Sequence, residues 1–313
     1  MPNRSQAVRG MIAVDKIGCK ILFLNPETYE TETALDGFQR TVHELLVMPE
    51  TGLAYVPIFG DGIHGRNPNP GHELHVIDLI KRKVAHTIDL APYSAPHTVR
   101  AAADGLIYIT CENSAKVVAI DPKTNTVAGA IDSGSHNGHR LAITGDGKRL
   151  YTDNEEDATV SVIDVPNRKL LGKIATPQAL AGIAVSDDGR TAVAVSDIEP
   201  VLFVIDTPSQ SMTRTVKLEG VPKAAQIARY SPDGNLLVVS SLNSNMISFI
   251  DASSFGGQTA VPVGDQPMDF TFRGDDLFVG CQGDGSMHVI DIPTRKHRLS
   301  FAAGKGCESV GFF

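Results

Sequence analysis

The sequence predicts an all-β fold, and three observations support this prediction. A short apolar motif ending in Ile-Asp recurs in HVID (75–78), VAID (118–121), SVID (161–164), FVID (203–206), SFID (248–251) and HVID (288–291), with LFLN (22–25) as a degenerate first copy. The copies lie 40 to 53 residues apart, which is the spacing of repeat architectures. Turn sequences such as ADG, GDG, DDG and PDG separate runs rich in β-branched residues, which favour strands. The chain therefore contains seven repeated units.

Each unit holds four strand-like segments in the same order. A short apolar segment comes first and is followed by the glycine turn, by a second segment such as LIYIT or LLVVS, by the Ile-Asp segment, and by a fourth such as KVAHTIDL. Four antiparallel strands in a period of about 40 residues are typical of one blade of a β-propeller. The sequence thus predicts a seven-bladed β-propeller with almost no helix.

The two ends of the chain predict how the ring closes. The chain begins with three strand-like segments, GMIAVD, CKILFLN and ETETALD, and ends with a single one, ESVGFF. A C-terminal strand that completes the N-terminal blade would remove the exposed edges of an open ring. We therefore expect one domain over residues 1–313.

Composition excludes several classes of partner. The chain has 313 residues, 42% hydrophobic and 20% charged, with 28 basic and 36 acidic residues and a formal net charge of -8. Nucleic acids and anionic membranes require a basic surface, so neither is expected as a partner. The N-terminal sequence lacks the apolar core of a signal peptide, no long apolar run occurs, and the four cysteines are scattered, so we expect a cytoplasmic protein with reduced thiols.

The repeat also resembles a known family. The stretch LYTDNEEDATVSVIDVPNRKLLGKI (150–174) is similar to the YVTN-type propeller repeat, and the resemblance extends over essentially the whole chain. It implies the seven-bladed fold and points to lactonase-like or other metal-dependent propeller enzymes. Function itself remains open at this point, because one propeller scaffold serves hydrolases, lyases, haem-handling proteins and interaction modules.

Alignment of the units on the glycine turn predicts a metal site. The first strand of each blade lines the central channel, and its first residues lie at the channel mouth. At that position the seven units carry Glu308, His43, His97, His139, Ala181, Gln226 and Met268 or Asp269. We predict that His43, His97, His139 and Glu308 bind a divalent ion such as zinc, manganese, iron, cobalt or nickel. The alternative is a polar, water-filled channel mouth.

Further candidate residues lie around the same mouth. The segment 59–73, FGDGIHGRNPNPGHE, makes its unit ten residues too long and should overhang the site as a lid, or else form a mobile surface insertion. Arg66 is a candidate for binding a substrate carboxylate, with His64 and His72 as hydrogen-bonding or proton-transfer groups. His136 and Asp269 are candidates for moving protons. The sequence also places Glu112 and Asp153 where they could support the metal ligands, and leaves open whether Arg100, Arg140 and Arg229 point into the channel.

These residues favour an enzyme acting on a small molecule. The leading hypothesis is metal-dependent hydrolysis of a lactone or ester, because a divalent ion can generate hydroxide and polarise a carbonyl group. The alternative is β-elimination from a carboxylate-bearing substrate, since the ligand types are similar to those of propeller-fold oligogalacturonate lyases. An iron oxygenase is a third possibility, by analogy with carotenoid-cleaving propellers. A propeller that binds a ligand or a protein without catalysis would need no metal.

Overall fold

The protein is an all-β propeller of seven blades, as the sequence predicts. The computed structural model describes residues 8–38, 42–136 and 138–313, so residues 1–7 of the predicted domain lie outside the described part. It shows seven four-stranded antiparallel sheets and three short 3-10 helices, at Glu112–Ser114, Glu155–Asp157 and Leu242–Ser244. No helix in the described ranges has the length and apolar character needed to cross a membrane.

In each four-stranded sheet, the first strand given below lies at the central channel and the fourth lies at the outer edge. In blade order they are β28 (Cys307–Phe312), β1 (Met11–Asp15), β2 (Lys20–Leu24) and β3 (Thr31–Leu35); β4 (Leu46–Met48), β5 (Leu53–Gly60), β6 (Pro70–Asp78) and β7 (Lys83–Asp89); β8 (Pro96–Ala101), β9 (Ile107–Cys111), β10 (Lys116–Asp121) and β11 (Thr126–Asp132); β12 (Gly138–Ile143), β13 (Arg149–Asn154), β14 (Thr159–Asp164) and β15 (Lys169–Ala175); β16 (Leu180–Val185), β17 (Thr191–Ser196), β18 (Val201–Asp206) and β19 (Ser211–Lys217); β20 (Ile227–Tyr230), β21 (Leu236–Ser241), β22 (Met246–Asp251) and β23 (Thr259–Pro262); and β24 (Pro267–Arg273), β25 (Asp276–Cys281), β26 (Ser286–Asp291) and β27 (Lys296–Ala302).

Burial explains the composition of the four strand types. The second and third strands of a blade, such as β17 and β18, are buried on both faces and read as continuous apolar runs. The outermost strand is exposed, and β27 is rich in charged and polar residues. The glycine of the turn after the first strand is required by its backbone: Gly147 has φ 69°, and a Cβ there would lie 2.8 Å from the Cβ of Ala103.

The apolar core is divided among the contacts between blades. In the described part of the chain, seven apolar clusters each join two neighbouring blades around the ring. Phe23 and Val56, for example, belong to the cluster between blades 1 and 2, and Phe278 and Leu24 to the one between blades 7 and 1. Every blade thus contributes to two clusters, which holds the ring together.

The C-terminal strand closes the ring as predicted. The strand β28 pairs antiparallel with β1, with Met11 opposite Phe312. The carboxylate of Asp15, at the end of β1, accepts hydrogen bonds from the backbone N–H groups of Lys305 and Gly306 at 3.0 and 2.9 Å. The first blade is therefore built from both ends of the chain.

Candidate functional site

The predicted row of side chains meets at one end of the channel. The innermost strands β28, β4, β8 and β12 are neighbours, and each carries one of the four predicted ligands at or just before its start. The Nδ1 atom of His43 lies 2.7 Å from Oε1 of Glu308, and its Nε2 atom lies 3.0 Å from Nε2 of His97. The ring centroids of His97 and His139 are 4.3 Å apart. The four side chains thus form one continuous row, and their role as metal ligands stays a prediction.

A β-bulge accompanies His97 and His139 at the channel wall. In β8, His97 and Thr98 together stand opposite the single residue Thr110 of β9, because Pro96 pairs with Cys111 and Val99 with Ile109. In β12, His139 and Arg140 stand opposite Asp153 in the same way. A bulge of this kind turns the strand and redirects its side chains.

The histidines of the row are buried, and burial favours their neutral form. His97 is 1% exposed and His139 is 4% exposed. Burial lowers the pKa of both imidazoles well below the ordinary value; the positive groups near His97 act in the same direction, whereas at His139 the carboxylate of Glu155 opposes burial without outweighing it. A neutral imidazole has the free lone pair that a metal ion requires.

His64 reaches the row from the long loop between β5 and β6. Its Nδ1 atom lies 2.8 Å from Oε2 of Glu112, and its Nε2 atom lies 2.9 Å from Oε2 of both Glu155 and Glu156. The ring centroids of His64 and His139 are 4.7 Å apart. Burial alone would lower the pKa of His64, but its hydrogen bonds to Glu112 and Glu155 outweigh burial and raise it to about 11. The carboxylates around His64 thus favour its cationic form in the absence of a metal ion.

Buried carboxylates surround His139 and His64. Glu112 and Glu155 begin the short 3-10 helices after β9 and β13, and Asp153 lies in β13. Burial, reinforced by nearby negative groups, raises the pKa of Glu112 to about 7, whereas burial raises that of Asp153 to about 6. These two residues lie beside the row, as the sequence suggested.

Two overlapping groups of side chains have the spacing of metal ligands. His97, Glu112 and His139 form one group, and His64, His139 and Glu155 form the other; in each, the ligand atoms lie within 4.8 Å of one another. Nδ1 of His139 lies 3.3 Å from Glu155 Oε2 and 3.5 Å from Asp153 Oδ2. Among the described residues, no hydrogen-bond partner is present for His139 Nδ1, Asp153 Oδ2 or Glu112 Oε1, all of them buried. These buried His/Glu groups could hold a metal ion.

Lys16 completes the other end of the row and was not predicted. Its Nζ atom lies 3.0 Å from Oε2 of Glu308 and 3.4 Å from Nε2 of His43. Lys16 follows β1 in the turn before β2, which is the connection between the second and third strands of its blade. The corresponding connection in the next blade carries His64. The repeat alignment therefore contained the signal that could have identified Lys16.

Several other candidate residues lie apart from the row. His136 lies in an exposed turn, and Arg66 is exposed. His72 is also exposed and pairs with Asp89 at 2.9 Å. Asp269 is buried, but its Oδ1 atom pairs with Nη1 of Arg229 at 2.7 Å.

A second polar layer lies next to the histidine row within the channel. Glu44 is buried and makes a very close ion pair with Arg140, accepts a hydrogen bond from the Thr98 hydroxyl at 2.9 Å, and lies 3.6 Å from Nη1 of Arg100. Burial would raise the pKa of Glu44, but the two arginines outweigh burial and lower it to about 2. Its Oε1 atom is also 3.6 Å from Nδ1 of His97, so the two layers are in contact. The sequence did not identify Glu44.

Comparison with known proteins supports the fold alone. No family model matches the chain, and no curated protein sequence matches it. The structure is similar to a chain of the solved structure of Kuenenia stuttgartiensis hydrazine synthase, with a TM-score of 0.69 and 17% identity, covering 85% of this chain and 88% of that chain.

Proposed function

We propose that the protein is a metal-dependent enzyme with its active site at this end of the channel. The observation that carries the proposal is the buried group of His97, Glu112 and His139, whose ligand atoms lie within 4.8 Å of one another. Two neutral imidazoles and one carboxylate form a ligand set used by catalytic zinc and by other divalent ions, and leave positions for water and substrate. The metal is thus a zinc, manganese, iron, cobalt or nickel ion.

The charges around the group favour a bound cation. Glu112, Asp153 and Glu155 are three carboxylates at the same place, and the imidazolium of His64 lies 2.8 and 2.9 Å from two of them. Buried charges without a partner are costly, so such a group of acids favours either proton uptake or a further positive charge. A divalent ion in contact with Nδ1 of His139 would supply it.

Glu112 is the carboxylate ligand that we propose in place of Glu308. Both are buried acids, but Glu308 already lies 3.0 Å from the ammonium group of Lys16. In this arrangement His43 and Glu308 flank the proposed metal site, and Nε2 of His43 lies 3.0 Å from Nε2 of His97, a contact that a metal ion bound at this nitrogen would replace.

Hydrolysis of a lactone or ester is the reaction that we propose. A bound divalent ion lowers the pKa of water and polarises a carbonyl oxygen. The water oxygen would form a bond to the carbonyl carbon, the ester C–O bond would break, and the proton would leave with the alcohol. The resemblance to the YVTN-type repeat supports this reaction class. Ile17 and Ile63 are exposed next to Lys16 and His64, which favours a substrate with an aliphatic part.

Elimination from a carboxylate-bearing substrate is the second candidate. Lys16 favours it, because its ammonium group beside His43 could hold a substrate carboxylate. This reaction breaks a C–H bond and a C–O bond and forms a conjugated double bond. Both reactions act on small molecules, and the net charge of -8 disfavours nucleic acid and anionic membrane as partners. The segment 59–73, which carries His64 and the exposed Arg66, is the proposed lid.

Metal analysis of the purified protein tests the proposal. Expression in metal-replete medium should give about one divalent ion per chain, and His97→Ala, His139→Ala and Glu112→Gln should each lose most of it. His86→Ala replaces an exposed histidine on β7 and should retain the wild-type content. If the metal content is well below one ion per chain, or if Glu308→Gln loses the ion while Glu112→Gln retains it, the proposed site is wrong.

An activity screen separates the candidate reactions. Lactones and esters would be tested against uronic and hydroxy acids, because only elimination creates a product that absorbs in the ultraviolet. Activity should disappear in His97→Ala and persist in His86→Ala. If a ligand binds equally to wild type and to His97→Ala and no substrate turns over, the protein is a binding propeller and not an enzyme.

A further inference from the structure

A cavity in the central channel opens at the face opposite the histidine row. It has a volume of about 360 Å³. Its walls come from the later residues of β8, β12, β16 and β20, and its rim comes from the turns that follow three of these strands, including Gly145, Ser186 and Pro232. The histidine row lies at the starts of the innermost strands, so the cavity is a separate site.

Three arginines face this cavity. Arg100, Arg140 and Arg229 line it, each from a different blade. Arg140 is almost fully buried, whereas the side chains of Arg100 and Arg229 are 29% and 27% exposed. Guanidinium groups on three sides of one cavity produce a strongly positive interior.

The neighbouring acids neutralise only part of this charge. Glu44 takes Arg140 as its close partner, and Asp269 takes Arg229. The nearest acidic atom to Nη1 of Arg100 is Oε2 of Glu44, at 3.6 Å, which exceeds hydrogen-bond distance. This Oε2 atom has no hydrogen-bond partner within the described chain. Glu44 and Asp269 lie behind the lining, whereas Asp187, the acid that itself lines the cavity, belongs to an exposed turn at the rim. Three cationic groups, one buried and two partly exposed, thus face two buried anionic groups.

Arg100 has unused hydrogen-bonding capacity. Its guanidinium group makes one hydrogen bond to the described residues, from Nη1 to the Val99 carbonyl at 2.8 Å. A guanidinium group has five N–H donors in a planar fork that matches a carboxylate. Burial and the nearby Arg229 both lower the pKa of Arg100, which reflects two like charges close together.

We propose that this cavity binds a small organic monoanion, a carboxylate with a short apolar body. Arg100 and Arg229 would hold the carboxylate, whose single negative charge balances the three arginines against the two acids. The rest of the lining includes aliphatic side chains that suit the apolar body, Ala142, Ile143, Ile183, Ala184 and Ala228, beside the polar Ser186, Tyr230 and Ser231. The site is distinct from the metal site and requires no metal.

Calorimetric titration with butyrate tests this site. Butyrate should bind to wild type at one site per chain, and butyramide, which has the same shape without the charge, should not bind measurably. Arg100→Gln should weaken butyrate binding by about tenfold or more, because a hydrogen bond between charged groups is lost. Arg190→Gln changes an exposed arginine on the same face outside the cavity and should bind butyrate like wild type.

A second variant and a metal-free sample keep the outcomes distinct. Ala142→Phe fills the cavity without changing any charge and should also abolish binding, with circular dichroism and melting used to verify folding. Chelator-treated wild type should bind butyrate unchanged, so failure of the metal proposal would leave this one intact. Absence of saturable butyrate binding, or equal binding by wild type and a folded Arg100→Gln, would overturn the proposal.

Discussion

Replacing Arg140 with methionine should strongly destabilise the protein. Arg140 is the close partner of the buried carboxylate of Glu44, and its Nε–H donates to the carbonyl of Ala181 at 3.2 Å. Methionine keeps most of the side-chain volume but removes the charge and these donors. Because Glu44 is 2% exposed, water cannot replace the lost partner.

The structure gives the size of this effect. Removal of one partner from a buried ion pair costs about 3–5 kcal/mol. Arg100 stays 3.6 Å from Glu44, so we expect the lower end of that range, about 3 kcal/mol. With an unfolding entropy of about 2.1 cal/mol/K per residue over 313 residues, the melting temperature should fall by about 5 °C.

A double-mutant cycle measures the coupling between the two residues. Melting temperatures of Arg140→Met, Glu44→Gln and the double variant would be recorded at one scan rate. The double variant should be more stable than the sum of the single effects predicts, because it buries neither unpaired charge. Arg149→Met breaks a pair with Asp164, at 3.0 Å, in which the arginine side chain is 38% exposed, and should cost far less than Arg140→Met, about 1 kcal/mol. If the two single effects add within about 0.5 kcal/mol, the residues do not form the buried pair described above.

Three further predictions concern the fold. Deletion of residues 306–313 removes β28 and should abolish soluble expression, and a soluble truncated protein with the wild-type melting temperature would refute ring closure as a requirement. Phe278→Ala, at a fully buried position, should cost about 3–5 kcal/mol in a denaturant titration, whereas Leu299→Ala on the exposed outer strand should cost far less. Burial raises the pKa of the thiols of Cys111, Cys281 and Cys307, to about 12 for Cys281, so these thiols stay protonated at pH 8; a thiol reagent should modify only the part-exposed Cys19 in the native protein and all four cysteines after denaturation.

Most of the fold could be predicted because the repeat specifies it locally. The turn glycine, such as Gly147, is fixed by its positive φ, and the Ile-Asp strands are fixed by burial on both faces. Each blade encodes the same four strands, so one recognised unit predicts the others. Closure by β28 followed from counting strands at the two ends of the chain.

The candidate site could be predicted only in part, because the alignment compared one position in each blade. That position identified His97 and His139, which come from equivalent places in neighbouring blades. Lys16 and His64 come instead from loops of different length, and their reach depends on the loop conformation. His64 was singled out because its loop is long, whereas Lys16 lies in a short turn and could have been found only by comparing the equivalent connection in each blade.

The bulge explains why the second polar layer could not be predicted. Regular strand alternation would turn the residue after each row histidine away from the channel. Because His139 and Arg140 both stand opposite Asp153, Arg140 can reach Glu44 within the channel while His139 lies in the row. The same two-against-one pairing at His97 lets Thr98 donate to Glu44. One irregularity, repeated in adjacent blades, therefore places His97 and His139 in the row beside the charged layer, so substitutions of Glu44 should disturb the proposed metal site through His97.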